Sequence, residues 1–343
     1  MRKKKEATKA NLLFLFIVCL YIFVQISFIV LASNQVQLQM PYYLALSLGE
    51  LIIIIPAVIY ILMDRGECLK SIQFGSIRVF DLLKLVVLSY LVSPVISFIN
   101  AISTLFMNNV VADTLENMVE KPIVVLVILL GVVPAVFEEL VFRGIIYHSF
   151  RKYHIGSALL FSALLFGCMH MNLNQFLYAV VIGFFFALIV EATGSILASI
   201  TIHFVINTSN VVAGIMSMRL LQYAESMNNK LQEQLGNEGN AQSLLEQAQS
   251  QEVSLQARIA VIITLGITAA IFGFLAFLLF RNIARSCGRW EHIKGIFGKS
   301  EDEQLNIANR RIDEDQEKIT SIPFFIATGI CFIYIIISLV LPI

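Results

Sequence analysis

Six residues in three short runs carry side chains able to do chemistry within otherwise apolar sequence. Glu138, Glu139 and Arg143 fall in Pro134-Ala-Val-Phe-Glu-Glu-Leu-Val-Phe-Arg143. His170 ends Phe166-Gly-Cys-Met-His170. His203 and Asn207 bracket His203-Phe-Val-Ile-Asn207. From Pro122 to Phe137 the chain is apolar or glycine apart from its two prolines, so two carboxylates at its end are costly to place unless they pair or line a functional cavity. Helix positions four apart share a face, which puts Arg143 beneath Glu139 and not beneath Glu138. The spacing therefore predicts an ion pair of Glu139 with Arg143 that holds the helix. Glu138 has Phe at its own i+4 position, 142, and is left without a local partner. A buried ion pair alone would only specify packing, but two carboxylates against one arginine leave one for chemistry.

By the same rule Phe166 shares a face with His170, and His203 with Asn207. Each histidine taken singly reads as a structural hydrogen-bonding residue. Lipid offers none of these groups a partner, so the set is expected to face inward, from three helices onto one site. Such a set can hydrolyse a bond: glutamate takes a proton from water, histidine moves a proton or holds an oxyanion, and an asparagine amide donates to that oxyanion. Alternatively, His170 and His203 with a glutamate match the ligand types of a catalytic zinc with a water in the open position. Glu50 stands isolated in its apolar run. Glu191 is expected near a helix end, within reach of water, and His148 and His154 at a basic boundary, solvated. No G-x-S-x-G, H-E-x-x-H or Walker A sequence occurs.

The elements that must position these residues are membrane helices. The 343-residue chain is 58% hydrophobic and 14% charged, with mean hydropathy +0.80, against roughly 25% charged residues in soluble domains. An all-α, polytopic transmembrane bundle of about nine spans follows, at 11–33, 42–63, 82–107, 122–149, 155–171, 173–193, 196–218, 258–280 and 322–342. The first run is too long for a signal-peptide core and is expected to be a retained span. With the N-terminus cytoplasmic, 20 of the 24 Lys and Arg lie inside, and only Lys121, Arg219, Lys230 and Arg258 lie outside, as the positive-inside rule requires. Zero net charge gives no field for nucleic acid. The five cysteines are scattered and form no C-x-x-C pair, which argues against a disulfide framework or a thiolate zinc site.

Four regions result: N-terminal helices (1–121), the segment carrying the polar set (122–218), an outside Gln-rich excursion (219–257), and C-terminal helices with a charged connector (258–343). In the excursion, leucines at near-helical spacing broken by Gly236-Asn-Glu-Gly239 predict a helical hairpin. The connector at 281–321, with Trp290, predicts an interfacial helix. One difficulty is depth. At about 1.5 Å per residue, His203 lies about 10 Å in from the inner end of its span. Glu138 is expected at a similar inner depth, but His170 comes out about 22 Å from the inner end of its own.

The order Glu138-Glu139-x-x-x-Arg143, Phe166-x-x-x-His170, His203-x-x-x-Asn207 on separate helices resembles the CPBP family. That family holds the type II CAAX prenyl endopeptidases and the bacterial Abi or bacteriocin-processing homologues. The resemblance covers about residues 120–215. It implies an intramembrane endopeptidase in which Glu138 activates water with His170 as partner, His203 and Asn207 stabilise the oxyanion, and Glu139 and Arg143 support the site. Whether the family uses a metal is not settled by these residues. The expected partners are membrane lipid and a peptide or membrane-protein substrate, in a bacterial plasma membrane to judge by the Lys-rich start and short loops. The competing readings are a non-proteolytic scaffold or bacteriocin-immunity protein on the same fold, and a transporter with a proton relay.

Overall fold

The computed structural model describes residues 5–34, 42–70, 72–105, 107, 118–235, 255–298 and 318–340. They form ten principal helices: α1 (Glu6–Ser33), α2 (Tyr42–Met63), α3 (Val79–Ser103), α4 (Ile123–Arg151), α5 (Ile155–Met169), α6 (Leu173–Thr193), α7 (Ile196–Leu235), α8 (Leu255–Ser286), α9 (Trp290–Phe297) and α10 (Ile322–Val340). Each of the nine segments expected as spans contains a helix. Seven of them, α1, α3, α4, α6, α7, α8 and α10, are long and apolar enough to cross a bilayer among the described residues. The apolar parts of α2 and α5 are shorter, Ser47–Met63 and Ile155–Met169. Large apolar side chains such as Leu62, Phe80, Phe274 and Ile322 face outward, as expected of a surface solvated by lipid. The chain is an integral membrane helix bundle.

α3 packs along α8, α5 along α6, and α1 on α10, while α7 lies against both α3 and α4. Helices that alternate in direction bring matching ends together. Lys9 of α1 meets Asp64 just beyond α2 at 3.1 Å, and Lys152 beyond α4 pairs with Glu6. Arg78 before α3 bonds Asp81 at 2.9 Å and reaches the Ser286 carbonyl of α8 at 2.5 Å. α6 stops where Gly194 takes the left-handed conformation (φ 73°) that glycine adopts without penalty at a helix C-terminus.

α4 carries the two carboxylates and is not a regular α-helix throughout. A π-helical stretch at Val127–Val132 precedes Pro134. Proline lacks an N–H and crowds the carbonyl four residues back, and a widened turn accommodates that. A second π stretch, Leu140–Tyr147, follows Glu139 directly. The helix continues to Arg151, close to the expected end at 149. Glu138 lies about thirteen residues before Arg151, or about 20 Å at 1.5 Å per residue, while the same count puts His203 only about 10 Å into α7. His203 nonetheless meets Glu139 at 3.0 Å, so the ends of these helices do not lie at one level.

The arms of the expected 219–257 hairpin are helical as far as Leu235 and again from Leu255, while its turn and Leu244 and Leu245 lie outside the described residues. The connector contains the expected amphipathic helix, α9, with Ile293 buried.

Candidate active site

The site is built around a packed aromatic wall. Phe142 of α4 meets Phe14 of α1 and Phe166 of α5 edge-on, with centroids 6.2 and 5.1 Å apart. Arg143 lies against the same wall, its guanidinium 4.3 Å from the Phe166 ring centre and 5.0 Å from Phe186. Its Nη1 donates to Glu139 Oε1 at 2.8 Å and its Nη2 to the Gly183 carbonyl at 3.2 Å. Both side chains are essentially sealed, at 1% and 0% exposure. The Gly183 carbonyl can be reached because α5 and α6 touch there. A Cβ on Gly183 would stand 3.0 Å from Phe166 Cδ1 and 3.2 Å from Ala163 Cα, the small-residue contact that lets membrane helices close up. The i,i+4 spacing thus gives the ion pair, and tertiary packing supplies the rest of the arginine's partners.

The other end of this network is His203. Its Nδ1 lies 3.0 Å from Glu139 Oε1 and its ring stacks on Phe186 at 4.9 Å. An ionised Glu139 paired with arginine accepts only, so Nδ1 carries the proton, and Nε2 points the other way, 3.9 Å from Glu138 Oε2. His170, immediately after α5, has Nδ1 2.9 Å from the Phe166 carbonyl. A carbonyl only accepts, so Nδ1–H donates, and in the neutral ring Nε2 holds a free lone pair. The residue after it, Met171, sits at φ 54°, a left-handed conformation unfavourable for a non-glycine residue, and fixes the turn into α6. Asn172 caps α6 by accepting from the Gln175 N–H at 2.8 Å and donates to the His170 carbonyl at 2.9 Å.

Glu138, His170, His203 and Asn207 all line one cavity of about 460 Å³ between α3, α4, α6 and α7. Glu139 and Arg143 lie behind its wall. The cavity also takes polar groups from Ser97, Asn100, Gln175 and Asn210, which no local spacing in the sequence singles out. Asn100 is held by Asn174 at 3.0 Å, and Asn174 also binds Ser103 at 2.7 Å. The Glu138 side chain, 12% exposed, keeps contact with this space.

Three sequence expectations are corrected. Glu191 does not reach water: it is fully buried, bound by Tyr147 at 2.8 Å, Arg151 at 2.7 and 3.0 Å, His292 at 2.6 Å and Arg289 at 3.4 Å. Arg151 comes from the end of α4, and the turn at Gly194 and the packing of α9 bring Arg289 and His292 over Glu191. His148 is half-buried rather than solvated, whereas His154 is exposed and caps α5 by accepting from the Ser157 N–H at 3.1 Å. Glu50 is not isolated: it lines a second cavity together with Glu138 and His170. As for zinc, no three His, Cys, Asp or Glu side chains among the described residues are grouped to hold a metal ion. Nδ1 of each histidine is already taken, by a carboxylate in one case and a backbone carbonyl in the other, which leaves both Nε2 atoms open; zinc-ligating histidines are held in the same way.

A family model described as type II CAAX prenyl endopeptidase Rce1-like matches residues 120–209, the span that contributes Glu138, Glu139, Arg143, His170, His203 and Asn207. No curated protein and no solved structure matches the chain. Residues 120–209 are therefore similar to the Rce1-like domain, which is consistent with a membrane protease of the CPBP family.

Proposed function

We propose that this chain is an intramembrane endopeptidase that cleaves a membrane-associated peptide or protein with water activated by Glu138. The observation that carries the reading is the convergence of Glu138, His170, His203 and Asn207, from three helices, on one cavity of about 460 Å³. In the reaction, Glu138 and the bare Nε2 of His170 hold a water, and Glu138 takes its proton as the oxygen attacks the scissile carbonyl. Negative charge then develops on the carbonyl oxygen, toward which His203 and Asn207 turn their polar groups. With Nδ1 committed to Glu139, His203 donates from Nε2 only as the imidazolium, and Glu139 is the counter-charge for it. Collapse breaks the C–N bond, and the proton held by Glu138 passes to the leaving nitrogen. Arg143 touches no reacting atom and acts through Glu139.

The domain divisions at 122–218 and 219–257, a cytoplasmic N-terminus and a bacterial plasma membrane belong to the same proposal, with the 20-to-4 distribution of Lys and Arg as support for the orientation. Cysteine labelling from outside, on a cysteine-free background, tests the orientation: residue 238 should label and residue 76 should not, and the reverse overturns it. The activity is tested by purifying the protein, measuring its metal content, and assaying peptide cleavage beside Glu138→Ala. Cleavage by wild type alone, insensitive to chelators, supports the mechanism. Equal cleavage by both overturns it, and activity lost on chelation and restored by zinc would turn His170 and His203 into ligands.

A further inference from the structure

Glu50 sits in α2 within Ser-Leu-Gly-Glu50-Leu-Ile-Ile-Ile-Ile, where a carboxylate is expensive and ordinarily has a partner or a function. Its Oε2 is buried and has no hydrogen-bond partner among the described residues. It lines a second cavity, of about 130 Å³, whose other walls include Ile17 and Val18 of α1, Ile53 of α2, and Glu138 with His170. That volume far exceeds the roughly 10–15 Å³ that a single structural water needs. Glu138 and His170 line both this cavity and the larger one. The two spaces therefore share the reacting groups as part of their walls. A peptide lying in the larger cavity with its scissile bond at Glu138 has the smaller one available for a neighbouring side chain.

We propose, resting on the protease reading above, that the smaller cavity is a substrate side-chain subsite and that Glu50 makes it selective for lysine or arginine. The chemistry is complementary. An apolar wall suits a methylene stem, and a buried carboxylate lacking a donor suits a cationic head that supplies one. An acidic side chain would set two like charges side by side in a low-dielectric space. A purely apolar one would leave Glu50 Oε2 unpaired, and a site built to hydrogen-bond its ligand rejects a ligand without the group far more strongly than it rejects a missing methylene. Glu50 thereby determines specificity without touching the scissile bond.

The test uses the full chain in detergent micelles and has two readouts. First, thermal unfolding is followed with n-butylammonium, a lysine side-chain mimic, and with n-butanol. Butylammonium should raise the melting temperature of wild type but not of Glu50→Gln, since only a form that binds is stabilised, and butanol should do so for neither. Second, a randomised peptide library is digested and the cut sites are read by mass spectrometry. Wild type should cut beside Lys or Arg, and in Glu50→Gln the ratio of basic to neutral cut sites should fall on the order of 10²-fold or more. Glu50→Lys should turn the preference to Asp or Glu. A butylammonium effect equal in wild type and Glu50→Gln overturns the subsite, as does Glu138-dependent cleavage whose residue preference Glu50→Gln leaves unchanged. A uniform fall at all cut sites also overturns it, since that would place Glu50 in the chemistry. No Glu138-dependent cleavage, with the butylammonium effect intact, overturns the protease reading instead and leaves a cation site of another use.

Discussion

Two buried carboxylates about fifty residues apart in sequence make the most instructive contrast in this molecule. Glu191, at the end of α6, is saturated: Tyr147, Arg151, Arg289 and His292 all reach it, and nothing remains for another ligand. Glu138, in the middle of α4, accepts no hydrogen bond among the described residues: His203 Nε2 stands 3.9 Å away, beyond hydrogen-bond distance, and the carboxylate faces two cavities. A carboxylate surrounded by donors ties elements together. One that meets open space with a free imidazole lone pair beside it is available to react. Glu139 stands between the two, with Oε1 bound by Arg143 and His203 and Oε2 without a hydrogen-bond partner among the described residues. It supports the site without entering the cavity.

The contrast can be broken by substitution. The largest effect is expected at Glu138. Glu138→Gln keeps the shape and removes the base, so turnover should fall on the order of 10⁴-fold while thermal unfolding stays at the wild-type temperature. Next come the partners of buried charge. Arg143→Ala strands Glu139 and Glu191→Ala strands Arg151, at about 3–5 kcal/mol each. Both should reduce the yield of folded protein, measured by size-exclusion after solubilisation, and a normal yield for Arg143→Ala would contradict the supporting role. Asn207→Ala should be milder, at roughly 10²–10³ in rate with no change in folding, the usual loss for one oxyanion donor. The smallest effect is expected at His292→Gln. That side chain is 35% exposed and Glu191 keeps its other partners, so the loss should be about 1 kcal/mol or less. A loss as large as that of Glu191→Ala would mean that the cluster depends on one contact.

What could be read from the sequence were the relations that live within one helix. The pairs 139/143, 166/170 and 203/207 follow from a 3.6-residue period, and the inward direction of the set follows from the cost of polarity in lipid. Hydropathy alone gave the nine helical segments. What could not be read depends on which helices touch. Glu191 looked solvated because Arg151, Arg289 and His292 come from 40 to 101 residues away. Glu50 looked isolated because α2 and α4 are far apart in the chain and their shared cavity is a product of packing. The relative depths of Glu138, His170 and His203 could not be read because the ends of α4, α5 and α7 do not lie at one level: His203, only seven residues into α7, meets Glu139. Only packing decides that offset.

Whether an unsaturated buried carboxylate is the chemical one and a saturated one structural is decided by comparing Glu138→Gln with Glu191→Gln. Peptide cleavage per folded molecule and thermal unfolding would be measured on the same preparations. The account predicts that Glu138→Gln unfolds like wild type and does not cleave, while Glu191→Gln unfolds at a lower temperature and cleaves at a near-normal rate per folded molecule. Wild-type cleavage by a well-folded Glu138→Gln protein would contradict it.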